Sequence, residues 1–173
     1  MIELKTLKEQ DVQYFYSWIY DDEVIKYSLS VFQKMNTKQQ IDSWFHKLLD
    51  NRDDLQLGIY NKSSNQLIGY AGISNISKLN KSGEYFIFIG DKIQWGKGIS
   101  TEVTKQILDI GFIKLGLNRI MLTVSEPNIG GVKSYLKAGF KQEGIIREAS
   151  FRDGQFHNKI VMSVLKSEWN NKE

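Results

Sequence analysis

The octet Gln94-Trp95-Gly96-Lys97-Gly98-Ile99-Ser100-Thr101 lies between an apolar strand-like run, Phe86 to Ile89, and a long helix-like run, Glu102 to Lys114. A strand that turns through two glycines into a helix leaves little choice of local architecture. Glycine lets the chain curl tightly and approach a ligand without a Cβ in the way. The first N–H groups of a helix have no partner within it, and the helix dipole adds partial positive charge there. The octet is therefore a candidate cradle for an anion, with phosphate or pyrophosphate as the natural guest. Its spacing is neither that of a P-loop nor that of a Gly-x-Gly-x-x-Gly dinucleotide turn. Taken alone, it reads equally well as a glycine turn with a solvated Lys97.

The rest of the chain sets this turn in context. Ile2 to Leu7 predicts a short strand, and Lys8 to Asp11 opens a helix bearing Val12, Phe15, Tyr16 and Ile19. Asp21-Asp22-Glu23 reads as an acidic turn. Asn36 or Thr37 caps a helix whose apolar positions, Ile41, Trp44, Phe45, Leu48 and Leu49, keep helical spacing. Leu55–Tyr60 and Leu67–Ile76 predict a hairpin across the turn-forming residues 61–65. Glu84–Ile89 is a further strand, so Glu84 is expected at its start. Gly116 stops the long helix, and Arg119–Val124 follows as a strand. Asn128 caps a short helix that Gly139 ends. Phe140–Phe151 and Phe156–Leu165 are joined at Asp153-Gly154, a strong hairpin turn. The pattern predicts an α+β fold in which one crossover sets Glu84–Ile89 parallel to Arg119–Val124. Ligands of open α/β sheets sit at the C-terminal ends of such strands.

Composition removes several function classes. The length, 173 residues, fits a single domain over 1–173 with its own core. There is no cysteine, and the two histidines, His46 and His157, are far apart, so no metal site and no Ser-His-Asp triad is expected. The net charge of +3 comes from scattered residues, and no basic run calls for nucleic acid. No apolar run is long enough for a membrane span, and no secretory signal opens the chain, so a cytoplasmic place is expected.

Three segments together resemble the GNAT superfamily of acyl-CoA-dependent N-acyltransferases, and within it the RimJ/RimL-like group. They are Gln94–Thr101 with the preceding residues 86–92, the pattern Asn128…Tyr135-x-Lys137-x-Gly139-Phe140, and the tail from Phe151 through Trp169. The resemblance covers nearly the whole chain. Trp95 and Ser100 depart from the superfamily's Gln/Arg-x-x-Gly-x-Gly/Ala signature, yet neither removes the backbone donors. The resemblance implies a mixed, mostly antiparallel sheet with a central splayed parallel strand pair flanked by helices. It implies acetyl-CoA as cosubstrate, with no metal. Trp95, Gly96, Lys97, Gly98, Ile99, Ser100 and Thr101 would hold the pyrophosphate. Ile87, Phe88 and Ile89 would offer backbone to the pantetheine arm, and Asn128 and Lys137 would reach the cofactor. Tyr135 matches the family's acid on the thiolate side, and Glu84 is the candidate base, directly or through water.

The acceptor amine is the least determined part. In this fold its pocket comes from the first helices, the loop between them and the terminal hairpin. Asp21, Asp22, Glu23, Tyr27, Trp44, Glu84, Ser125, Arg147 and His157 are candidates, and Arg152 is a further source of positive charge. A small-molecule amine is expected, such as an amino sugar, its nucleotide-linked form or a polyamine. A protein N-terminus and a non-catalytic acyl-CoA sensor are the alternatives. Family members are often homodimers, and nothing in the sequence specifies an interface.

Overall fold

The computed structural model describes residues 1–170. Strand β1 (Ile2–Lys5) leads into helices α1 (Val12–Ile19), α2 (Asp22–Ile25) and α3 (Lys38–Asp50). Three antiparallel strands follow: β2 (Leu55–Asn61), β3 (Leu67–Ser77) and β4 (Ser82–Ile89). Helix α4 (Ile99–Asp109), with a π-helical extension over Ile110–Lys114, crosses to β5 (Arg119–Ser125). Helix α5 (Ile129–Ala138), the hairpin β6 (Lys141–Arg152) and β7 (Gln155–Leu165), and the short α6 (Lys166–Asn170) complete the order. The seven strands form one sheet, β1-β2-β3-β4-β5-β7-β6, in which β4 and β5 are the parallel pair. The expected α+β class and its mostly antiparallel sheet are what is seen.

Alternation along the strands loads the two faces of the sheet differently. Tyr85, Ile120, Leu122 and Val124 pack with Val103, Ile107 and Phe112 beneath α4. Tyr70 and Phe88 pack on the other face with Phe15, Trp18, Phe32 and Phe45 from the N-terminal helical layer. Phe15 is the hub of that layer, with the rings of Trp18, Trp44 and Phe45 at 5.1, 5.2 and 5.3 Å. Trp18 also fixes the end of β4. A Cβ on Gly90 would lie 2.0 Å from the Trp18 ring, so only glycine lets α1 close over the chain as it enters the glycine-rich turn.

Several boundaries differ from the sequence reading. β4 begins at Ser82, not Glu84, because Ser82 and Gly83 already pair with Arg119 and Ile120. Glu84 is thus the last parallel-paired residue of the strand rather than its first residue. Asp21-Asp22-Glu23 is not a plain turn. Asp21 Oδ1 accepts the Glu23 N–H and caps α2. The helix after the octet begins at Ile99, inside the motif, and α6 gave no sequence signal.

One ion pair ties the far edge of the sheet. Glu143 on β6 accepts hydrogen bonds from Arg119 Nη1 and Ser163 Oγ, both at 2.7 Å. The Arg119 guanidinium, then Ser163, hold the Glu143 carboxyl down to about 2. A carboxyl depressed on folding stabilises above its unfolded value of about 4.3, and that contribution fades as pH falls toward the folded value. Glu143→Gln should therefore reduce stability at pH 7 and flatten its acid dependence, as read by urea unfolding at pH 7 and pH 3. An unaltered dependence would show that the pair contributes nothing, as many exposed pairs do.

Candidate active site

The parallel pair opens after three residues. Register runs Ser82↔Arg119, Gly83↔Ile120, Glu84↔Met121, and pairing then stops although both strands continue. Backbone groups on the inner edges are left facing a gap. Their identity follows from alternation. The Lys81 carbonyl accepts N–H groups of Asn118 and Arg119, so residues 81, 83, 85, 87 and 89 aim their main chain toward β5. Ile87 and Ile89 therefore face the opening. The Ile89 carbonyl already accepts the Trp95 indole N–H at 3.0 Å. The Phe88 carbonyl would meet a Cβ on Gly69 at 2.1 Å, so that carbonyl lies on the β3 side, while the residue borders the cleft together with Ile87 and Ile89.

At the C-terminal end of β4 the chain makes the predicted cradle. Gly96 and Gly98 have φ of 75° and 79°, the left-handed region that favours glycine, and Gly98 is the residue before α4. The first intrahelical bond runs from Glu102 N to Gly98 O, so the N–H groups before it have no carbonyl within the helix. A cleft of about 650 Å³ joins this turn to the gap. Trp95, Gly96, Gly98, Ile99, Ser100, Thr101, Asn128, Tyr135 and Lys137 all border it. Lys97 does not, and its ammonium lies 3.4 Å from Gln94 Oε1. Ser100 is not simply free for phosphate, because its hydroxyl accepts from Ser134 at 2.9 Å. Ser134 also shares a 3.0 Å bond with Thr101, so one hydroxyl on α5 pins the first turn of α4. Sequence reasoning missed Ser134. It also passed over Gly130-Gly131, which with the Asn128 cap open a second helix start onto the same cleft.

Asn128 Oδ1 accepts the Gly131 N–H at 3.0 Å, so the cap role expected of it is present, and the residue borders the cleft as well. Seven residues on, Tyr135 packs edge-on against Tyr85 and Phe140, with ring centroids 6.1 and 6.0 Å away. Burial pushes its hydroxyl up to about 12, so the phenol stays protonated at neutral pH. No protein group among the described residues bonds that hydroxyl.

A second cavity of about 230 Å³ is lined by both β4 and β5 where they separate, and Tyr135 and Asn128 border both cavities. Glu84 lines this smaller cavity. Asn75, at φ 51° beside the irregular register of β3, donates its amide to Glu84 Oε2 at 3.1 Å. Tyr27 and Ser125 line it too. The other acceptor candidates are placed elsewhere. Trp44 is in the aromatic core, Arg147 and His157 are not in the lining, and Asp21 and Glu23 are bound by Lys92 at 2.7 and 2.9 Å. Arg152 and Lys159, the second of which gave no sequence signal, do line it. Among the described residues no group of histidines or carboxylates could hold a metal, and no helix is long and apolar enough to cross a membrane.

Residues 2–141 match a family model described as an acetyltransferase (GNAT) domain. The chain is 26% identical to the uncharacterized N-acetyltransferase YoaA of Bacillus subtilis over 94% of its own length and 92% of that protein. It is 28% identical to a spermidine N(1)-acetyltransferase of Vibrio cholerae over 83% of its length and 91% of the relative. Among solved structures, spermidine N-acetyltransferase from Vibrio cholerae in complex with CoA and spermine superposes with a TM-score of 0.87 at 22% identity, over 98% of each chain.

Proposed function

Since the chain belongs to the acetyltransferase (GNAT) family, and is thus an acetyl-CoA-dependent acyltransferase, we propose that it acts as one domain that acetylates the primary amine of a small molecule by direct attack in a ternary complex. The observation that carries the reading is the meeting of two cavities at Tyr135, in the gap between β4 and β5. The larger has the chemistry for acetyl-CoA. The glycine turn offers unpaired N–H groups for the pyrophosphate, and the inner edge of β4 offers main-chain groups at Ile87 for the amide-bearing arm. Acetyl-CoA, when bound, supplies the activated acyl group.

The protein's part is then positioning and proton transfer. Glu84 in the smaller cavity takes the proton from the acceptor ammonium, directly or through water. The neutral amine attacks the acyl carbon, and the carbon–sulfur bond breaks as Tyr135 donates its hydroxyl proton to the departing sulfur. The proton then shed by the new amide nitrogen returns through water to the phenolate. Asn128 holds the start of α5, so that Tyr135 keeps its place. The relatives that act on spermidine support a small amine, and the size of the cavity supports it too. About 230 Å³ is below the ~300–1,000 Å³ typical of drug-sized ligand sites. Placement in the RimJ/RimL-like group rests on the Trp95-Gly96-Lys97-Gly98 run and the terminal hairpin.

Acetyl-CoA titration followed by an amine screen for CoA release tests this function. Binding with acceptor-dependent release supports it, and absence of binding overturns it. Glu84→Gln should flatten the acidic limb of the pH–rate profile and lower turnover by roughly 10²-fold, the scale of general base catalysis. A limb that stays in place assigns proton removal to water alone.

A further inference from the structure

The smaller cavity is cationic. Glu84 is the one carboxylate in its lining, against Arg152 and Lys159. Neighbouring acids do not reverse that balance. Asp21 and Glu23 are engaged by Lys92, which its two carboxylate partners hold more firmly protonated. Asp153, next to Arg152, is exposed in the hairpin turn and does not border the cavity.

The two cations are held differently. Arg152 Nη1 and Nη2 donate to the Lys26 and Ser28 carbonyls at 3.2 and 2.9 Å. This fixes the guanidinium between the hairpin and the segment after α2, with further N–H donors remaining of its five. Lys159 is half-buried, lies opposite Ser125 in the β5–β7 register, and has no carboxylate partner among the described residues. Both cations border one small cavity, so an anionic group entering it would meet a fixed guanidinium and a lysine that no carboxylate of the described residues engages.

We propose that the acceptor is a small amine whose far end is anionic, a carboxylate or a phosphate, held by Lys159 and Arg152 while its amino group lies toward Glu84 and Tyr135. This rests on the acetyltransferase reading and narrows it. A bare polyamine would bring only positive charge to a cavity with one carboxylate. An amine with an anionic end satisfies both halves of the lining, and repulsion of the wrong charge contributes to selection.

The test uses matched pairs with saturating acetyl-CoA, reading CoA release as kcat/KM. The pairs are 3-aminopropanoate against 3-aminopropanamide and 2-aminoethyl phosphate against ethanolamine, with spermidine alongside. The anionic member should win in at least one pair, by roughly tenfold to a hundredfold, the scale of charge-assisted hydrogen bonds. Which pair shows the larger ratio tells carboxylate from phosphate. Lys159→Gln should shrink that ratio, and Lys159→Glu should invert it, with acetyl-CoA affinity checked for each variant to confirm the fold. Ratios that ignore Lys159, or spermidine outrunning every anionic amine, would overturn the anionic acceptor and leave the acetyltransferase standing. Silence from every amine despite acetyl-CoA binding would overturn both.

Discussion

Tyr135→Phe should lower kcat by about 10²-fold or more, the range for loss of a positioned general acid, while leaving acetyl-CoA affinity nearly unchanged. The substitution is clean because the ring and the hydroxyl have separate jobs. The ring packs against Tyr85 and Phe140, and the Tyr135 carbonyl accepts the N–H groups of Gly139 and Phe140 at 3.0 Å, closing the end of α5. Phenylalanine keeps all of that. The hydroxyl, without a protein partner among the described residues, is the only group removed. Its raised value also makes a prediction for pH. Burial favours the neutral phenol, so the proton is present throughout the range below about 12. Any alkaline fall in rate below pH 10 therefore belongs to another group, and Tyr135→Phe should leave its midpoint in place. Unchanged turnover would end the role of Tyr135 as acid.

What was legible in the sequence is unequal across the molecule, for physical reasons. The glycine turn could be read because backbone conformation there demands a residue type. At φ of 75° and 79°, Gly96 and Gly98 leave a mark that no packing argument is needed to see. The caps were legible for the same reason. Thr37 with Gln40 forms a capping box, Asn128 bonds Gly131 N, and Gly139 ends α5 at φ 111°. The smaller cavity was legible only in part. Tyr27, Glu84, Ser125 and Arg152 are sequence candidates and do line it, whereas Lys159 is not a candidate, because the lining is assembled by long-range register. Lys159 borders it through its place opposite Ser125 on β7, and Arg152 through carbonyls more than a hundred residues away in sequence. A lysine in a β-strand carries no local sign of which face or cavity it will meet. The start of β4 was misplaced because Gly83 resembles a turn residue, whereas a Cβ there would lie 2.4 Å from Ile73 Cγ2, a close approach rather than a turn. Trp44 was drawn to the acceptor pocket by its chemistry and is instead a core residue, in contact with Phe15 and Phe32.

Gly98→Val should abolish measurable turnover at ordinary acetyl-CoA concentrations by weakening its binding roughly 10²–10³-fold, the loss of one or two charge-assisted hydrogen bonds at about 1.5–3 kcal/mol each. Two causes could give that result, and a companion variant separates them. Gly98 has φ 79° and ψ 0°, a conformation costly for a β-branched residue, so valine strains the turn whatever the ligand does. Beyond its chain neighbours a Cβ there meets no protein atom within 4 Å, so apart from the backbone strain nothing in the described residues crowds a side chain. Any steric conflict must then be with what occupies the cleft that Gly98 borders. Asparagine tolerates the left-handed region, so Gly98→Asn should keep the fold and still weaken acetyl-CoA. Gly116→Asn is the control. Its φ of 67° is similar and it also has open space, but it lies at the other end of the crossover, away from the cleft. Calorimetry should then find acetyl-CoA affinity lowered by asparagine at 98 and unaffected by asparagine at 116, with both proteins equally folded. If both bind alike, the pyrophosphate does not approach Gly98, and the N-terminus of α4 loses its assignment as the anion cradle.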